Sequence, residues 1–321
     1  MPKVSVIIAI YNVEAYIERC LHSLFSQTLN DIEYIFVDDA TPDSSIELIY
    51  KTVESYPNRR NQIKMLRHTS NRGLAAARAA GMREATGEYI ISCDPDDYIE
   101  QDMYEKMYRR AVETSADIIL CSFWFEWQNH KELINPFYDS TPQKYLNNMS
   151  NNQVSIGVRT VWNKLIRRDI ILKYDIFPYK KIDYGDDFNC VVRFLYYAKS
   201  MSVLKEPLYH YCQRKDSMSA SWMNSSMMKM EIYNIDLICQ FLQQNSGNKY
   251  RKFCNHTKFL LKRDYKSLFN GKDQEWFSLY RECHRDILSL TSYPLKSRII
   301  LFVALQNFSL YKILKTKISG L

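Results

Sequence analysis

The sequence predicts an α/β fold in which a mostly parallel sheet carries helices on both faces. Residues 4–10 form a near-continuous apolar run rich in β-branched side chains, which is typical of a strand buried on both faces. Similar runs recur along the first hundred residues, and segments with helical spacing separate them. Strands and helices that alternate in this way build a parallel sheet. Glycine is scarce, with 8 residues in a chain of 321, which disfavours an all-β protein rich in tight turns.

Four strands and three helices are expected in the first hundred residues. The apolar side chains Ile17, Leu21, Leu24 and Phe25 recur at the spacing of one helix face, so we expect a helix over residues 14–27. The other segments follow the same two patterns. In chain order, the expected strands are 4–10, 32–37, 64–68 and 89–92, and the expected helices are 14–27, 44–55 and 71–85.

The next residues continue this alternation and then lose it. We expect a helix over 102–114 and an aromatic strand over 117–125, and then an irregular excursion over 128–152, which is rich in Asn, Pro and Ser. Mixed helices and short strands resume over 154–212. From about residue 218, Leu, Met, Lys and Gln dominate in long helical periods. We therefore expect one domain over residues 1–216 and a helical C-terminal region over 217–321.

The charge distribution allows two interpretations of the C-terminal region. The net charge is +7, and no acidic residue follows Asp286. The basic residues beyond that point are Lys296, Arg298, Lys312, Lys315 and Lys317. With the apolar residues around them, they predict either a basic amphipathic helix on an anionic membrane or a helix that docks on the other domain or on a second subunit of a homo-oligomer.

Composition also bears on the compartment. The eight cysteines include no C-x-x-C pair, which disfavours a zinc site or a disulfide framework and suits a reducing compartment. No apolar run has the length needed to span a membrane, and no signal peptide is evident. We therefore expect a cytoplasmic protein, which the first interpretation of the C-terminal region would place peripherally on the inner face of the membrane.

A cluster of aspartates is the clearest chemical feature of the chain. Asp94-Pro95-Asp96-Asp97 follows the expected strand 89–92, so three carboxylates repel one another at the mouth of a buried strand. A hard divalent ion relieves that repulsion when one or two carboxylates hold it and phosphate oxygens and water fill its other positions. The alternative is a turn whose aspartates cap the next helix.

Other polar residues fall where ligands bind in such a sheet. Ligands of open α/β sheets lie beyond the carboxyl ends of the strands, and Tyr11, Asn12, Asp38 and Asp39 follow strands at that edge. No glycine-rich loop follows the first strand, and no G-x-x-x-x-G-K-[ST] motif occurs, so P-loop and dinucleotide folds are disfavoured. Another group must then hold phosphate, and a metal on the aspartate cluster fits that need.

Five segments occur in an order and spacing that single out one family. They are residues 4–12 with Glu14, Phe36-Val37-Asp38-Asp39-Ala40-Thr41-Pro42-Asp43, Asn71-Arg72-Gly73-Leu74-Ala75-Ala76-Ala77-Arg78, Gly87-Glu88-Tyr89-Ile90 and Asp94-Pro95-Asp96-Asp97. Together they resemble family 2 glycosyltransferases, which are inverting enzymes of the GT-A fold. Residues 161–165, Gly185-Asp186-Asp187 and Tyr209-His210-Tyr211 resemble the acceptor side of the same family. The resemblance covers about residues 3–215 and implies a nucleotide-binding half over 1–98 and an acceptor-binding half over 99–216.

The resemblance implies how a nucleotide-sugar donor is bound. Tyr11 would stack on the nucleotide base and Asp39 would accept from a ring N–H, while Asn71 and Arg78 would lie near the ribose and diphosphate. Asp94 and Asp96 match the DxD motif. Asp96 is the expected direct ligand of Mn²⁺ or Mg²⁺, with Asp97 sharing or replacing that role. The other donor contacts that the resemblance implies are Ala9, Asn12, Glu14, Asp38, Trp162, Lys164, His210 and Arg214, with core packing as the alternative for Trp162.

A separate carboxylate is needed for catalysis. Inversion is an in-line displacement through an oxocarbenium-like state, so a base must take the acceptor's proton on the face opposite the leaving group. By the resemblance that base is Asp187, and Asp186 stands where the family more often has Glu, which leaves the choice within the pair open. Asp183 would add negative charge that raises a neighbour's pKa.

These features predict a metal-dependent, non-processive glycosyltransferase. It would move one hexosyl or N-acetylhexosaminyl group from a nucleotide-sugar, most simply a UDP-sugar, to a glycan or lipid-linked acceptor in cell-surface polysaccharide synthesis. We expect no nucleic-acid partner. A sugar nucleotidyltransferase is the second enzyme class, but it would carry a glycine-rich basic loop after the first strand. A non-catalytic binding module is the third, and Asp96 and Asp187 argue against it.

Overall fold

The computed structural model describes residues 1–135, 139–151, 156–214 and 223–318, with the side chains of 156 and 315–318 left aside. The chain forms two compact units. The first comprises Met1–Pro142 and Ser155–Ser217, and the second comprises Gln143–Val154 and Met218–Leu321. The boundary expected after residue 216 falls within 215–222, outside the described residues. The sequence did not predict that a segment near residue 150 belongs with the C-terminal helices.

The first unit is built on one mixed sheet. Its order is β3-β2-β1-β4-β8-β6-β9-β5, and β7 pairs with β6. The pairs among β1 to β4 and the pair β6–β9 are parallel, whereas β8, β5 and β7 pair antiparallel with their neighbours. The strands are β1 Val4–Ile10, β2 Ile32–Asp38, β3 Ile63–Arg67, β4 Tyr89–Ser92, β5 Tyr98–Ile99, β6 Ile118–Trp127, β7 His130–Ile134, β8 Lys164–Arg167 and β9 Met201–Cys212.

Helices alternate with the first strands as predicted. The expected α/β fold is confirmed, and the first four strands and three helices lie within three residues of their predicted bounds. Residues 128–152 are not the irregular excursion that their composition suggested, because they contain β7, a helix and a 3₁₀ turn. The helices are α1 Ile17–Phe25, α2 Ser45–Val53, α3 Leu74–Glu84, α4 Met103–Thr114, α5 Pro142–Asn148, α6 Ile156–Arg159, α7 Arg168–Lys173 and α8 Asp186–Tyr197.

The topology brings distant segments to one edge of the sheet. β1, β2 and β4 are parallel, so the residues that follow them meet at their carboxyl ends. β8 runs antiparallel to β4, so the segment that precedes β8 arrives at the same edge. β6 is antiparallel to β8 and β9 is parallel to β6, so the residues after β9 lie there as well. Polar residues from five parts of the chain therefore converge.

The second unit is helical and has its own core. Its helices are α5, apart from its first residue, together with α9 Ser225–Ser246, α10 Arg251–Asp264, α11 Asp273–Ser278, α12 Leu295–Ala304 and α13 Phe308–Ile318. Aromatic and aliphatic side chains pack together there, and among them Trp276, Phe277 and Tyr311 are each at most 3% exposed. Among the described residues, no helix combines the length and the apolar character that crossing a membrane requires.

A buried lysine stands at the centre of that helical core. Lys262 is fully buried, and its Nζ donates to the carbonyl oxygens of Phe277 and Leu279 and to His284 Nε2, at 2.8, 2.8 and 2.9 Å. His284 Nδ1 lies 3.0 Å from the Leu305 carbonyl oxygen, so the geometry assigns a neutral imidazole with its proton on Nδ1. Three acceptors thus match the three N–H groups of the ammonium.

Candidate active site

Residues 94–97, here called the aspartate turn, are anchored by a buried tyrosine. The Tyr209 hydroxyl accepts from the Asp94 N–H at 3.2 Å and donates to Asp97 Oδ2 at 2.6 Å. The Cys212 N–H donates to Asp97 Oδ1 at 2.8 Å. Asp97 is only 1% exposed, and burial, reinforced by Asp96 and Asp94, raises the pKa of its carboxyl well above the usual range. This corrects the expectation that Asp97 shares the metal, because its oxygens are turned into the protein.

Asp96 is the more accessible carboxylate of the turn. Its side chain is 18% exposed, and its Oδ2 lies 2.7 Å from Arg214 Nη2. The Arg214 guanidinium also lies 4.3 Å from the centre of the Tyr16 ring. Arg19 donates to the Asp96 carbonyl oxygen at 3.1 Å. The structure therefore brings Arg214 to the aspartate turn, where it pairs with Asp96.

Arg78 joins the aspartate turn to the start of α8. Its side chain is 4% exposed, its Nη2 donates to Asp94 Oδ1 at 3.0 Å, and its Nη1 donates to both Asp186 and Asp187. One guanidinium thus holds three carboxylates that come from positions about ninety residues apart in sequence. The sequence placed Arg78 beside a diphosphate, whereas the structure uses its donors to assemble the site itself.

The cluster around Arg78 carries excess negative charge. One cation faces Asp94, Asp186 and Asp187. Burial raises the pKa of Asp94 to about 6 and that of Asp186 to about 7, and the neighbouring carboxylates add to both shifts while Arg78 opposes them. Such a cluster favours the arrival of further positive charge.

The structure distinguishes the two aspartates at the start of α8. Asp186 is 4% exposed and is turned to Arg78, whereas the Asp187 side chain is 17% exposed. Asp187 Oδ2 accepts from the Val161 N–H at 3.0 Å, and Oδ1 accepts from Arg78. α8 begins here after Gly185, whose φ is 80°, and the first turn of a helix stabilises negative charge.

Asp39 is a buried acceptor at the end of β2. Its Oδ1 accepts from the Arg72 N–H at 2.9 Å and lies 2.6 Å from His68 Nδ1, and its Oδ2 accepts from the Gly73 N–H at 2.8 Å. It is 3% exposed. A carboxylate offers about four lone-pair positions, so one acceptor position is left for a ligand N–H. Asn71 lies beside it and its Oδ1 accepts from Gly73 N–H at 3.0 Å.

Residues 11–14, here called the shelf, follow β1 and lie beside this acceptor. Tyr11 is 46% exposed, so its ring face is accessible. The Asn12 N–H donates to Thr41 Oγ1 at 2.8 Å, and Glu14 Oε2 accepts from the Ser44 N–H at 2.9 Å. Asp38 Oδ1 accepts from the Thr41 N–H at 2.9 Å, which shapes the turn after β2, and Ala9 pairs with Val37 within the sheet. Asn12 and Glu14 therefore brace the loops after β1 and β2 against each other.

Three predicted donor contacts lie inside the protein instead. Trp162 is 2% exposed, stacks on Tyr209 at 4.3 Å between ring centres and meets the edge of Phe123 at 4.8 Å, so the core-packing alternative describes it. Lys164 is 1% exposed, and its Nζ is surrounded by protein oxygens.

His210 is the third of these residues. Its Nδ1 lies 2.7 Å from Glu126 Oε1, its Nε2 lies 3.0 Å from Glu100 Oε1, and its ring stacks on Tyr98 at 4.0 Å. Alternate residues of a strand face opposite sides of the sheet, so His210 points away from Tyr209, which anchors the aspartate turn. The structure therefore does not bring His210 to the site.

Several residues of the site escaped the sequence analysis. Tyr209 holds the aspartate turn, and the period of two along Tyr209-His210-Tyr211 would have placed it opposite His210. Asp183, which we expected to add charge near Asp187, also accepts through its Oδ1 from the Ala75 N–H at the start of α3, at 3.0 Å. No local sequence pattern marks His68 or Val161 as residues of the site.

The donor atoms suit a hard divalent ion. In the part of the chain that the structure describes, no ready cluster of three or more His, Cys, Asp or Glu side chains forms a metal site. A metal that carries a diphosphate needs only one or two carboxylates, because phosphate oxygens and water complete its coordination. The side chains of Asp94 and Asp96 are 28% and 18% exposed and offer oxygen ligands. The residues present therefore fit Mn²⁺ or Mg²⁺.

The fold and this site define a glycosyltransferase of the GT-A class. Residues 5–175 match the family described as glycosyl transferase family 2. The chain belongs to that family, which confirms the resemblance seen in its motifs.

Known proteins of the same kind include EpsH of Bacillus subtilis (strain 168), a protein assigned as a glycosyltransferase. It is 32% identical over 259 residues, which cover 78% of this chain and 72% of EpsH. Residues 1–349 of S. aureus TarS, solved in complex with UDP-GlcNAc, are 20% identical with a TM-score of 0.67, covering 94% of this chain and 84% of that one. The mannosyltransferase PcManGT from Pyrobaculum calidifontis, solved with GDP-Man and Mn²⁺, is 13% identical with a TM-score of 0.53, covering 94% and 86%.

Proposed function

We propose that this glycosyltransferase moves one sugar from a UDP-sugar to a hydroxyl of a glycan or lipid-linked acceptor, with inversion at the anomeric carbon. The observation that carries the proposal is the Arg78 junction, which holds Asp94 of the aspartate turn and Asp187 of α8 on one guanidinium. A leaving-group side and a proton-accepting side are thereby fixed relative to each other. The UDP-GlcNAc in TarS, which shares the fold, supports a uridine donor.

Asp187 is the proposed general base. It is the more exposed of the two carboxylates at the start of α8, and Arg78 and the Val161 N–H fix its orientation. A positioned base that takes the acceptor's proton contributes about 10²–10⁴-fold in rate. Asp186 is buried beside it and serves to hold Arg78.

The donor is proposed to lie along the shelf after β1. Tyr11 offers its exposed ring face to the base, and Asp39 has one acceptor position left for a ring N–H. A buried acceptor of this kind discriminates between bases, because a mismatched base leaves it unpaired. Arg214, beside Asp96, is placed to donate to a diphosphate.

Asp96, with Asp94 beside it, is proposed to hold Mn²⁺ or Mg²⁺. When bound, the divalent ion acts as a Lewis acid that stabilises charge on the departing nucleoside diphosphate. The Mn²⁺ in PcManGT supports this assignment, and the buried Asp97 is left to anchor the turn.

The second unit is proposed to contact an anionic membrane, where a lipid-linked acceptor would be presented. On α12, Leu295, Ile299 and Val303 are 60%, 48% and 42% exposed and recur every four residues, so they share one helix face. We call these three side chains the apolar stripe. Lys296 lies exposed beside it, and no acidic residue follows Asp286. A basic apolar face of this kind suits anionic lipid headgroups.

Thermal unfolding with nucleotide-sugars tests the proposed donor and base. UDP-GlcNAc, UDP-glucose, UDP-galactose and GDP-mannose are added with Mn²⁺ or Mg²⁺, and a UDP-sugar is expected to raise Tm, because a ligand of the folded state stabilises it by mass action. Asp187→Asn should keep that shift while UDP release falls about 10²–10⁴-fold. Asp96→Asn should lose the metal-dependent part of the shift.

Two results would contradict the proposal. Failure of every UDP-sugar to raise Tm with either metal would exclude the donor class. Near-normal UDP release by Asp187→Asn would exclude the assigned base while leaving the donor assignment intact. Asp169→Asn, an exposed aspartate in the first turn of α7, is the matched control and should change neither readout.

A further inference from the structure

Lys164 is a buried ammonium whose donors are saturated by one short segment of the chain. Its Nζ donates to the Gly157 and Thr160 carbonyl oxygens, both at 2.6 Å, and to Asn163 Oδ1 at 2.8 Å. It is 1% exposed and lies at the first position of β8. An ammonium has three N–H donors and no acceptor, so these contacts leave it nothing for a substrate. Its function must be sought in the segment that it holds.

That segment, residues 157–163, is braced at several points. Asn163 is fully buried, and its Nδ2 donates to the Gly157 carbonyl oxygen at 3.2 Å. Thr160 Oγ1 donates to Asn163 Oδ1 at 3.2 Å. Gly157 lies so close to Phe123 and Asn163 that an added Cβ would overlap both side chains. The segment is therefore packed against β6 and tied to Lys164.

The 157–163 segment contacts the proposed base through Val161. The Val161 N–H donates to Asp187 Oδ2 at 3.0 Å, and Val161 lies one residue after Thr160, which accepts from Lys164. Burial lowers the pKa of Lys164 to about 7, while Asp187 favours the charged form. Lys164 thus fixes the Val161 N–H, which donates to Asp187. The positive charge of Lys164 also interacts favourably with the Asp187 carboxylate.

We infer that Lys164 is a positioning residue, which fixes segment 157–163 and, through the Val161 N–H, the orientation of the Asp187 carboxylate. This inference rests on the proposed role of Asp187 as general base. A misplacement of a catalytic group by about 1 Å can cost about a hundredfold in rate. A lysine that merely stabilised the fold would lower Tm without changing turnover in the protein that remains folded.

The chain offers a matched control for this distinction. Lys262, in the second unit, is equally buried and is likewise surrounded by three acceptors. Lys164→Met and Lys262→Met therefore remove the same group from the same kind of environment. Only the first touches a segment that contacts Asp187.

The experiment measures UDP affinity with Mn²⁺ and UDP release from UDP-GlcNAc, each at the same interval below the variant's own Tm. In Lys164→Met, we expect UDP affinity within about twofold of wild type and UDP release reduced about 10- to 100-fold. Amide hydrogen exchange should accelerate across 157–163. Lys262→Met should lose stability but keep both values within about twofold. Gly157→Ala, which disturbs the segment and leaves Lys164 in place, should reproduce the Lys164→Met pattern and serves if that variant does not fold.

A double variant separates this inference from the proposed function. Lys164→Met should slow the Asp187→Asn enzyme no further, because residues that act through one another are not additive. Equal UDP release by Lys164→Met and Lys262→Met, or additive losses in the double variant, would overturn the positioning role alone. Normal UDP release by Asp187→Asn would overturn the base assignment and this inference together.

Discussion

Arg78 shows how a single residue can assemble a site from separate parts of the chain. Its guanidinium is planar and presents its donors in a fixed fork, so it can serve several carboxylates at once. Nη2 holds Asp94 and Nη1 holds Asp186 and Asp187. A lysine would offer a point charge in place of that fork.

Removal of Arg78 should therefore destabilise the protein strongly. Arg78→Met leaves three clustered carboxylates without their buried cation, and breaking a buried ion pair from one side costs about 3–5 kcal/mol. Arg78→Lys should recover only part of that loss. The free energy of unfolding in urea measures both, and Arg83→Met on the same helix is the control.

Two further variants test whether the loss of stability comes from the unpaired carboxylates around Arg78. Arg83 is 57% exposed, lies 3.8 Å from the exposed Asp175 and has its guanidinium 3.7 Å from the centre of the Phe177 ring, so its loss should cost no more than about 2 kcal/mol. Adding Asp186→Asn to Arg78→Met should restore stability, since it removes one of the unpaired charges. If Arg78→Met were as stable as Arg83→Met, the three carboxylates would not depend on the guanidinium.

At the scale of residues, the sequence indicated which carboxylates would come together, but it did not indicate which neighbouring side chains would face the core. Asp94, Asp96 and Asp187 stand in short motifs whose spacing is fixed along the chain, and the structure gathers them at one sheet edge. Lys164 and Trp162 carry the residue types of a sugar site, but they point into the core. The direction of a side chain depends on which strands become neighbours, and no local pattern encodes that pairing.

At the scale of elements, the start of α3 depends on a residue far along the chain. Gly73, at its N-cap, has φ of 89° and no side chain to accept from the helix N–H groups. Asp183 Oδ1 accepts from the Ala75 N–H at 3.0 Å instead. A Cβ on residue 73 would overlap the Asp183 carboxylate. The glycine therefore provides both the backbone conformation and the space for a cap from the segment that leads into α8.

Loss of this distant cap should cost as much as loss of a local one. Asp183→Ala is expected to lower the free energy of unfolding by about 0.5–2 kcal/mol, the range for N-cap removal. Gly73→Ala should also destabilise, because it combines overlap with a φ that L-residues rarely adopt. Urea unfolding measures both changes. Glu113→Ala, at an exposed position near the end of α4, should change stability by less than about 0.5 kcal/mol, and an equal loss there would contradict the capping role.

Elements with a local sequence pattern could be predicted, whereas the order of strands in the sheet could not. The first four strands and three helices were predicted because each buried strand and each amphipathic helix shows its own period. The antiparallel position of β8 between β4 and β6 was not predicted. About seventy residues separate β4 from β8 along the chain, and their pairing depends on tertiary packing. That position of β8 is what delivers segment 157–163 to Asp187.

At the scale of the whole molecule, the last two helices of the second unit combine exposed apolar side chains with basic residues. The apolar stripe of α12 is exposed on a stretch of chain with no acidic residue beyond Asp286. On α13, Ile313 is 73% exposed and Lys312 is also exposed. Apolar side chains insert into the headgroup region while lysines meet anionic lipid, so the two contributions act together.

The protein should therefore bind anionic vesicles through the apolar stripe. In co-sedimentation, we expect binding to vesicles of phosphatidylcholine with phosphatidylglycerol, and weaker binding to phosphatidylcholine alone or at high salt, where charges are screened. Replacing all three stripe residues by Gln should reduce binding at least about tenfold, because half-exposed side chains of this size gain roughly 1 kcal/mol each on entering an apolar phase. The protein's Tm should change little, since the stripe is already in water.

The control for the stripe must remove similar side chains that do not share a face. Tyr50, Val112 and Leu172 are 48%, 55% and 42% exposed on three different helices of the first unit. Their triple replacement by Gln should leave vesicle binding unchanged, because scattered apolar side chains cannot enter a bilayer together. Unchanged binding by the stripe variant would instead exclude α12 as the membrane contact. If the stripe variant altered the sedimentation coefficient of the protein without vesicles, α12 would be a contact between copies of this chain.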